Sequence, residues 1–271
     1  MKLNLIPAKT GLIWIKQGIR LFFRQPLAMS GLFFMFMAVL SVASLIPLIG
    51  SLLALVMLPA ATLGLMAASQ QAEQGKFPMP TILITAFRAG RQRARAMMVL
   101  GGLYALCFLA VLGLSALCDG GDFAELYLFG GRIDEELVSD PEFQLAMWVA
   151  ALLYAPMSML FWHAPALVHW HEVQPLKSLF FSALACWKNK GAFLVYALGW
   201  VALLICAGLL VALSTRALGS PEVAAAVMLP LSMVMAAMFF SSIYGTFRDS
   251  FEALPPPDLH PPDLPRVDEI A

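Results

Sequence analysis

Charge is what this chain lacks over most of its length. No Asp, Glu, Lys or Arg occurs in residues 25–72, 96–118, 143–171, 191–215 or 223–247. Charged residues make up 13% of the 271 and apolar residues 61%, against about 25% and about 45–50% in soluble domains. A soluble fold of this size would be left with large exposed apolar patches, which excludes that class. Each uncharged run exceeds the roughly 20 residues that carry a helix across the hydrocarbon core. The pattern is that of a polytopic membrane protein.

Other absences narrow the chemistry. Four cysteines with no obvious partners give no disulfide framework and read as small packing residues. There is no Gly-x-Ser-x-Gly elbow, P-loop, His-Glu-x-x-His pair or pair of carboxylates within a span, so neither an enzyme nor a cofactor is expected. Away from their ends the spans hold no charged side chain, and His163 lies near the end of one, which leaves ion-coupled transport little to work with. Nothing points to nucleic acid.

What is present begins with Lys9–Pro26, KTGLIWIKQGIRLFFRQP. As a helix it places Lys9, Lys16, Arg20 and Arg24 on one stripe, with Leu12, Ile15, Ile19, Phe22 and Phe23 opposite. That combination predicts a helix lying in a membrane surface. Two echoes precede later apolar runs. In TILITAFRAGRQRARA, Arg88, Arg91 and Arg95 share a face with Leu83, Phe87 and Ala94 behind. In PLKSLFFSALACWKNK, Lys177 and Lys188 share one.

Six spans are predicted: about Leu27–Ile46, Leu48–Ala68, Met97–Leu117, Pro141–Phe161, Gly191–Leu213 and Glu222–Tyr244. The first two divide at Ile46-Pro47-Leu48-Ile49-Gly50, where Pro removes a backbone donor and Gly permits a turn. The first span is read as uncleaved, because its apolar run continues far past any signal-peptide length. Ser139-Asp140-Pro141-Glu142 reads as a capping box, and Ser220-Pro221-Glu222 as a second helix start. Pro59, Pro156 and Pro230 fall inside spans and are expected to kink them. The acidic, Pro-rich residues 254–271 repeat PPDL and are expected to be extended.

With this span order, 15 of the 17 Lys and Arg residues fall on one side; only Arg132 and Arg216 lie opposite. The positive-inside rule makes that side cytoplasmic, with both termini on it. Each third of the chain (about 9–70, 78–165 and 172–248) reads as an amphipathic stretch, a span, a turn and a Pro-containing span. Two-span units keep one orientation, so the repeats are parallel and related by an axis along the membrane normal. The expected architecture over residues 1–253 is an all-α, six-helix bundle in three repeats, collared by three interfacial helices.

The units GIRLFFRQPLAMSGL (Gly18–Leu32), AFRAGRQRARAMMVLGGL (Ala86–Leu103) and ALACWKNKGAFLVYAL (Ala183–Leu198) resemble bacterial six-span inner-membrane proteins of the YciC-like kind. More distantly they are similar to the membrane region of some glycerophosphodiester phosphodiesterases. The resemblance implies a fold and a bacterial inner-membrane address, and it brings no catalytic residues.

Candidate sites are few. His163, His169 and His171, the last two beside Glu172, are the only concentrated metal-ligand types. Positions i and i+2 diverge on a helix, however, and no second cluster completes a shell; they read as interfacial polar residues. Asp119-Gly-Gly-Asp122 lacks the alternating oxygen ligands of a calcium loop. The basic collar remains: Lys16, Arg20, Arg24, Arg88, Arg91, Arg95 and Lys188 could hold anionic headgroups, each worth on the order of 1 kcal/mol near the surface. The expectation is a non-enzymatic membrane protein whose partners are membrane lipids, their anionic headgroups, or another membrane protein. The alternative is a transporter or channel for an uncharged or amphipathic solute, passing between the three Pro-containing spans.

Overall fold

A computed structural model of the chain describes residues 2–46, 49–131, 135–218 and 221–251. Among the described residues it is helical, with no strand. In order, the elements are α1 (Thr10–Arg24), α2 (Pro26–Ser44), α3 (Gly50–Glu73), a short 3-10 helix (Pro80–Ile84), α4 (Thr85–Arg88), α5 (Arg91–Asp119), α6 (Asp122–Phe129), α7 (Glu135–Ser139), α8 (Pro141–Phe161), α9 (Ala164–Trp170), α10 (Pro175–Lys188), α11 (Lys190–Leu218) and α12 (Pro221–Phe251). Six of them are long and apolar enough to cross a membrane: α2, α3, α5, α8 with its continuation α9, α11 and α12. The turn at Pro47–Leu48, residues Arg132 and Ser220, and the PPDL tail lie outside the described residues.

Proline and glycine set the boundaries. Gln25 precedes Pro26 and leaves the helical region (φ −141°, ψ 61°), as the steric clash with a following proline demands. Pro26 then opens α2 at a position where the missing N–H costs nothing. Asp140 rather than Ser139 caps α8: its Oδ1 accepts from Glu142 N at 3.1 Å, with Pro141 in the first turn. Asp119 likewise accepts from Gly121 N and Phe123 N, at 2.9 and 2.7 Å. The Asp-Gly-Gly-Asp stretch is thus a turn that leads into α6.

The helices pair as α2 with α3, α5 with α8 and α11 with α12. Half of the apolar window of α3 is buried, against 17% for α11. α3 is therefore the central helix, packed on α2, α5 and α12, and α11 is the most lipid-facing. Gly101 of α5 lies so close to α3 that an added Cβ would strike the Val56 backbone. Small residues at such crossings let helices approach where burial against lipid supplies no drive.

The lead-in elements gather at one end, while α6 and α7 lie between α5 and α8 at the other. α1 packs on α11 and α12, the 3-10 helix and α4 on α3, and α10 on α8 and α9. α1 corrects the expected burial pattern. Gly11, Trp14, Ile15, Gly18, Leu21 and Phe22 are buried, whereas Leu12 and Phe23 are 49% and 65% exposed. Gly11 and Gly18 lie against the backbones of α11 and α12, where a Cβ would come within 2.7 Å of Tyr196 N and 2.9 Å of Met238 O. Close approach, not apolarity, chose the face. α10 repeats the lesson: it buries Ser178, Ser182, Ala185 and Cys186 and presents Leu176, Phe180 and Trp187 outward.

The second echo is not one helix. Gly90 adopts φ +103°, a region open to glycine, and the chain turns there. Arg91 and Arg95 consequently belong to the first turns of the span α5, and Arg88 to α4.

Candidate lipid-binding surfaces

The fold brings every collar residue to the same end of the bundle. Lys16, Arg20 and Arg24 on α1, Arg88 on α4, Arg91 and Arg95 on α5, and Lys188 on α10 are all exposed. They are carried by three groups of elements: α1 on α11 and α12, α4 with the start of α5 on α3, and α10 on α8 and α9. The three prolines do not converge on a central path: Pro59 is buried within α3, while Pro156 and Pro230 are exposed. α3, α8 and α12 each continue through their proline.

At the same end sits a polar hub that periodicity did not reveal. Arg248 Nη1 donates to both Glu73 oxygens at 3.0 and 2.9 Å, and Arg248 Nη2 to Gln17 Oε1 at 3.3 Å. The neighbouring Asp249 carboxylate accepts from Trp14 Nε1 at 2.9 Å. Asn4 donates to the Asp249 carbonyl at 3.0 Å, and Asn189 Oδ1 accepts from Ile6 N at 2.9 Å. The hub therefore ties α1, α3, α12 and the residues before α1 into one rigid floor.

His163 is fully buried rather than interfacial, and its Nε2 meets Thr246 Oγ1 at 3.2 Å. Ser182 Oγ accepts from His163 N at 2.9 Å and donates to Met159 O at 2.8 Å, latching α10 to the end of α8. His169 is also buried. His171 lies at the turn after α9, where partial burial lowers its pKa from the ordinary value.

The bundle is not closed all round. α8 and α11 meet at the collar end, where the Trp162 ring packs edge-on against Phe193 and Tyr196. Beyond that they part around a cleft of about 1070 Å³, lined by α8, α11 and α12. Trp200, Phe239, Met159 and Met235 line it, and so does Lys190 at the collar end of α11. From Lys190 to Leu204 the cleft follows α11 for about 21 Å at 1.5 Å per residue, more than the roughly 15 Å of one leaflet's hydrocarbon. Its walls are almost wholly apolar. Lys190 also lies 5.2 Å from the Trp187 ring centroid, within cation–π range. Burial pushes the Cys186 thiol, which touches the same cleft, up to about 12; it stays protonated and inert. Sequence reading missed Lys190 and Trp200. Lys190 differed from Lys188 only in which side of a helix break it falls on.

A curated protein of Burkholderia thailandensis, named "Probable inner membrane protein", is 43% identical to this chain over 255 residues, covering 93% of the chain and 94% of that protein. The chain belongs to the family of that inner membrane protein. It is a multi-pass membrane protein with six candidate transmembrane helices. No family model matches it, and no solved structure does.

Proposed function

We propose that this inner-membrane protein is non-enzymatic and binds or organises membrane lipid, taking a lipid chain into the α8–α11–α12 cleft beneath a basic, cytoplasmic collar. The cleft carries the reading. It is apolar, it runs along α11, the most lipid-facing span, for more than the thickness of one leaflet, and a lysine lines its collar end. An acyl chain fits its walls and an anionic headgroup fits Lys190 and Lys188.

The architecture that supports this is three parallel repeats. Each lead-in element packs on the second span of the preceding repeat: the 3-10 helix and α4 on α3, α10 on α8, and α1 on α12. The last contact closes the ring. The YciC-like pattern agrees with the same order, and the prolines supply a bend in each second span. In this arrangement the repeat 2–repeat 3 junction is the loose one, and lipid fills it. The transport alternative draws no support from the prolines, two of which face outward.

The test is lipid co-purification. Neutralising Lys188 and Lys190 together is expected to lower the anionic phospholipid retained through mild-detergent purification. Unchanged lipid content in a correctly inserted variant would overturn the reading.

A further inference from the structure

A second cavity, of about 530 Å³, lies at the collar end between α3, α4 and α9, apart from the cleft. Its wall is polar and apolar in similar measure, where the cleft's is almost wholly apolar. Gln70 and Gln71 of α3, Thr85 and Arg88 of α4, and His169 and Trp170 of α9 line it, and no carboxylate does. His169 is only 8% exposed, yet its Nδ1 has no hydrogen-bond partner among the described residues. A buried ring nitrogen left unsatisfied is unfavourable, and a turn of the ring toward the cavity would let a polar ligand there satisfy it. Among the described residues Arg88 makes no ion pair. Arg93, close enough for its charge to act on His169, is already paired with Glu172.

From this geometry we infer that the cavity binds a phosphate group, with Arg88 as its counter-charge and His169 and the Gln71 amide as neutral partners. Arginine presents a fork that matches two phosphate oxygens. The volume falls within the range of small-molecule pockets and leaves room for a glycerol or similar substituent. The Thr85 hydroxyl donates to Ile82 O at 2.5 Å, so its proton is not offered to the ligand. The phosphate belongs either to a lipid headgroup or to a free phosphate ester. The inference deepens the lipid reading at one place, and its test includes a water-soluble arm that does not depend on that reading.

The full-length protein, delipidated in uncharged detergent, is titrated with inorganic phosphate and with glycerol 3-phosphate while thermal unfolding is followed. In parallel it is reconstituted in phosphatidylglycerol or phosphatidylcholine nanodiscs. Wild type is expected to show a saturable rise in Tm with at least one phosphate source. Arg88→Ala is expected to weaken the apparent affinity at least about tenfold, a loss of the order expected for one charge-assisted contact. His169→Gln should weaken it several-fold, and Lys177→Ala, on α10 outside the cavity, should leave it unchanged. Protection by the soluble esters marks free phosphate as sufficient; protection confined to phosphatidylglycerol assigns the site to a headgroup. No protection from any source overturns the inference, as does equal loss in Arg88→Ala and Lys177→Ala. Should Arg88→Ala fail to fold, Gln71→Leu and His169→Gln carry the same comparison. Phosphate protection without lipid co-purification would sink the lipid reading and leave this site standing, and the converse would do the reverse.

Discussion

Arg248 reaches across the bundle floor to Glu73, 175 residues away in the chain, and one guanidinium nitrogen contacts both carboxylate oxygens. Each side chain is 28% exposed, so the pair is neither dry nor fully screened. Arg248 also serves Asp249 and Gln17. The sequence shows only two polar residues at the ends of two apolar runs.

Glu73→Ala should lower stability by about 1–3 kcal/mol, the usual worth of charge-assisted hydrogen bonds, and Arg248→Ala should lower it more because three partners lose their donor. A double-mutant cycle read by thermal or SDS unfolding should give a coupling of about 0.5–3 kcal/mol. Additive losses would mean that the contact contributes nothing of its own.

Adjacent glycines should answer in opposite senses. A Cβ on Gly101 would collide with the Val56 backbone, while one on Gly102 meets nothing within 4 Å. Gly101→Ala is expected to destabilise by about 1–3 kcal/mol through overpacking. Gly102→Ala should be neutral, or stabilising by up to about 1 kcal/mol through helix propensity. Equal effects, measured by unfolding in detergent, would contradict the α3–α5 crossing.

Filling the cleft tests the proposed lipid occupancy directly. Ala236→Trp places an indole among Trp200, Phe239 and Met235, all lining the same space. Mass spectrometry of the purified protein should show one fewer lipid retained per chain, with the elution profile unchanged. Retention at the wild-type level would show that the cleft is not where lipid is held.

Sidedness is testable with a reporter fused after Ala271. The expected result is fluorescence from a cytoplasm-dependent fluorescent protein and no activity from a periplasm-dependent phosphatase. The reverse pattern would invert the orientation drawn from the Lys and Arg distribution.

Each predicted span matches one observed helix, and Pro141–Phe161 coincides with α8, while α3, α5, α11 and α12 each run further than predicted at one end. The uncharged runs and the prolines at their edges were enough for that. Three features of the collar were not legible. Trp14, fully buried, did not fit a scheme in which the aromatic face of α1 meets lipid. The lead-in before α5 read as one helix because its spacing is helical on both sides of Gly90, and spacing is blind to a single positive φ. His169 read as interfacial, although it is buried beside a cavity that it shares with Gln70, Gln71 and Arg88, which no local pattern links to it.

The division has one physical cause. Partition between water and lipid depends on composition summed over about 20 residues, so the chain alone decides that it crosses a membrane, how many times, and where its charges collect. Partition between lipid and protein is a different matter, since lipid tails are as apolar as leucine. Which face of α1 or α10 turns inward, and where the bundle stays open, follow from close contacts such as Gly18 on Met238 and Ser182 on Met159. Only tertiary structure could decide those, and the cleft and the polar cavity were decided with them.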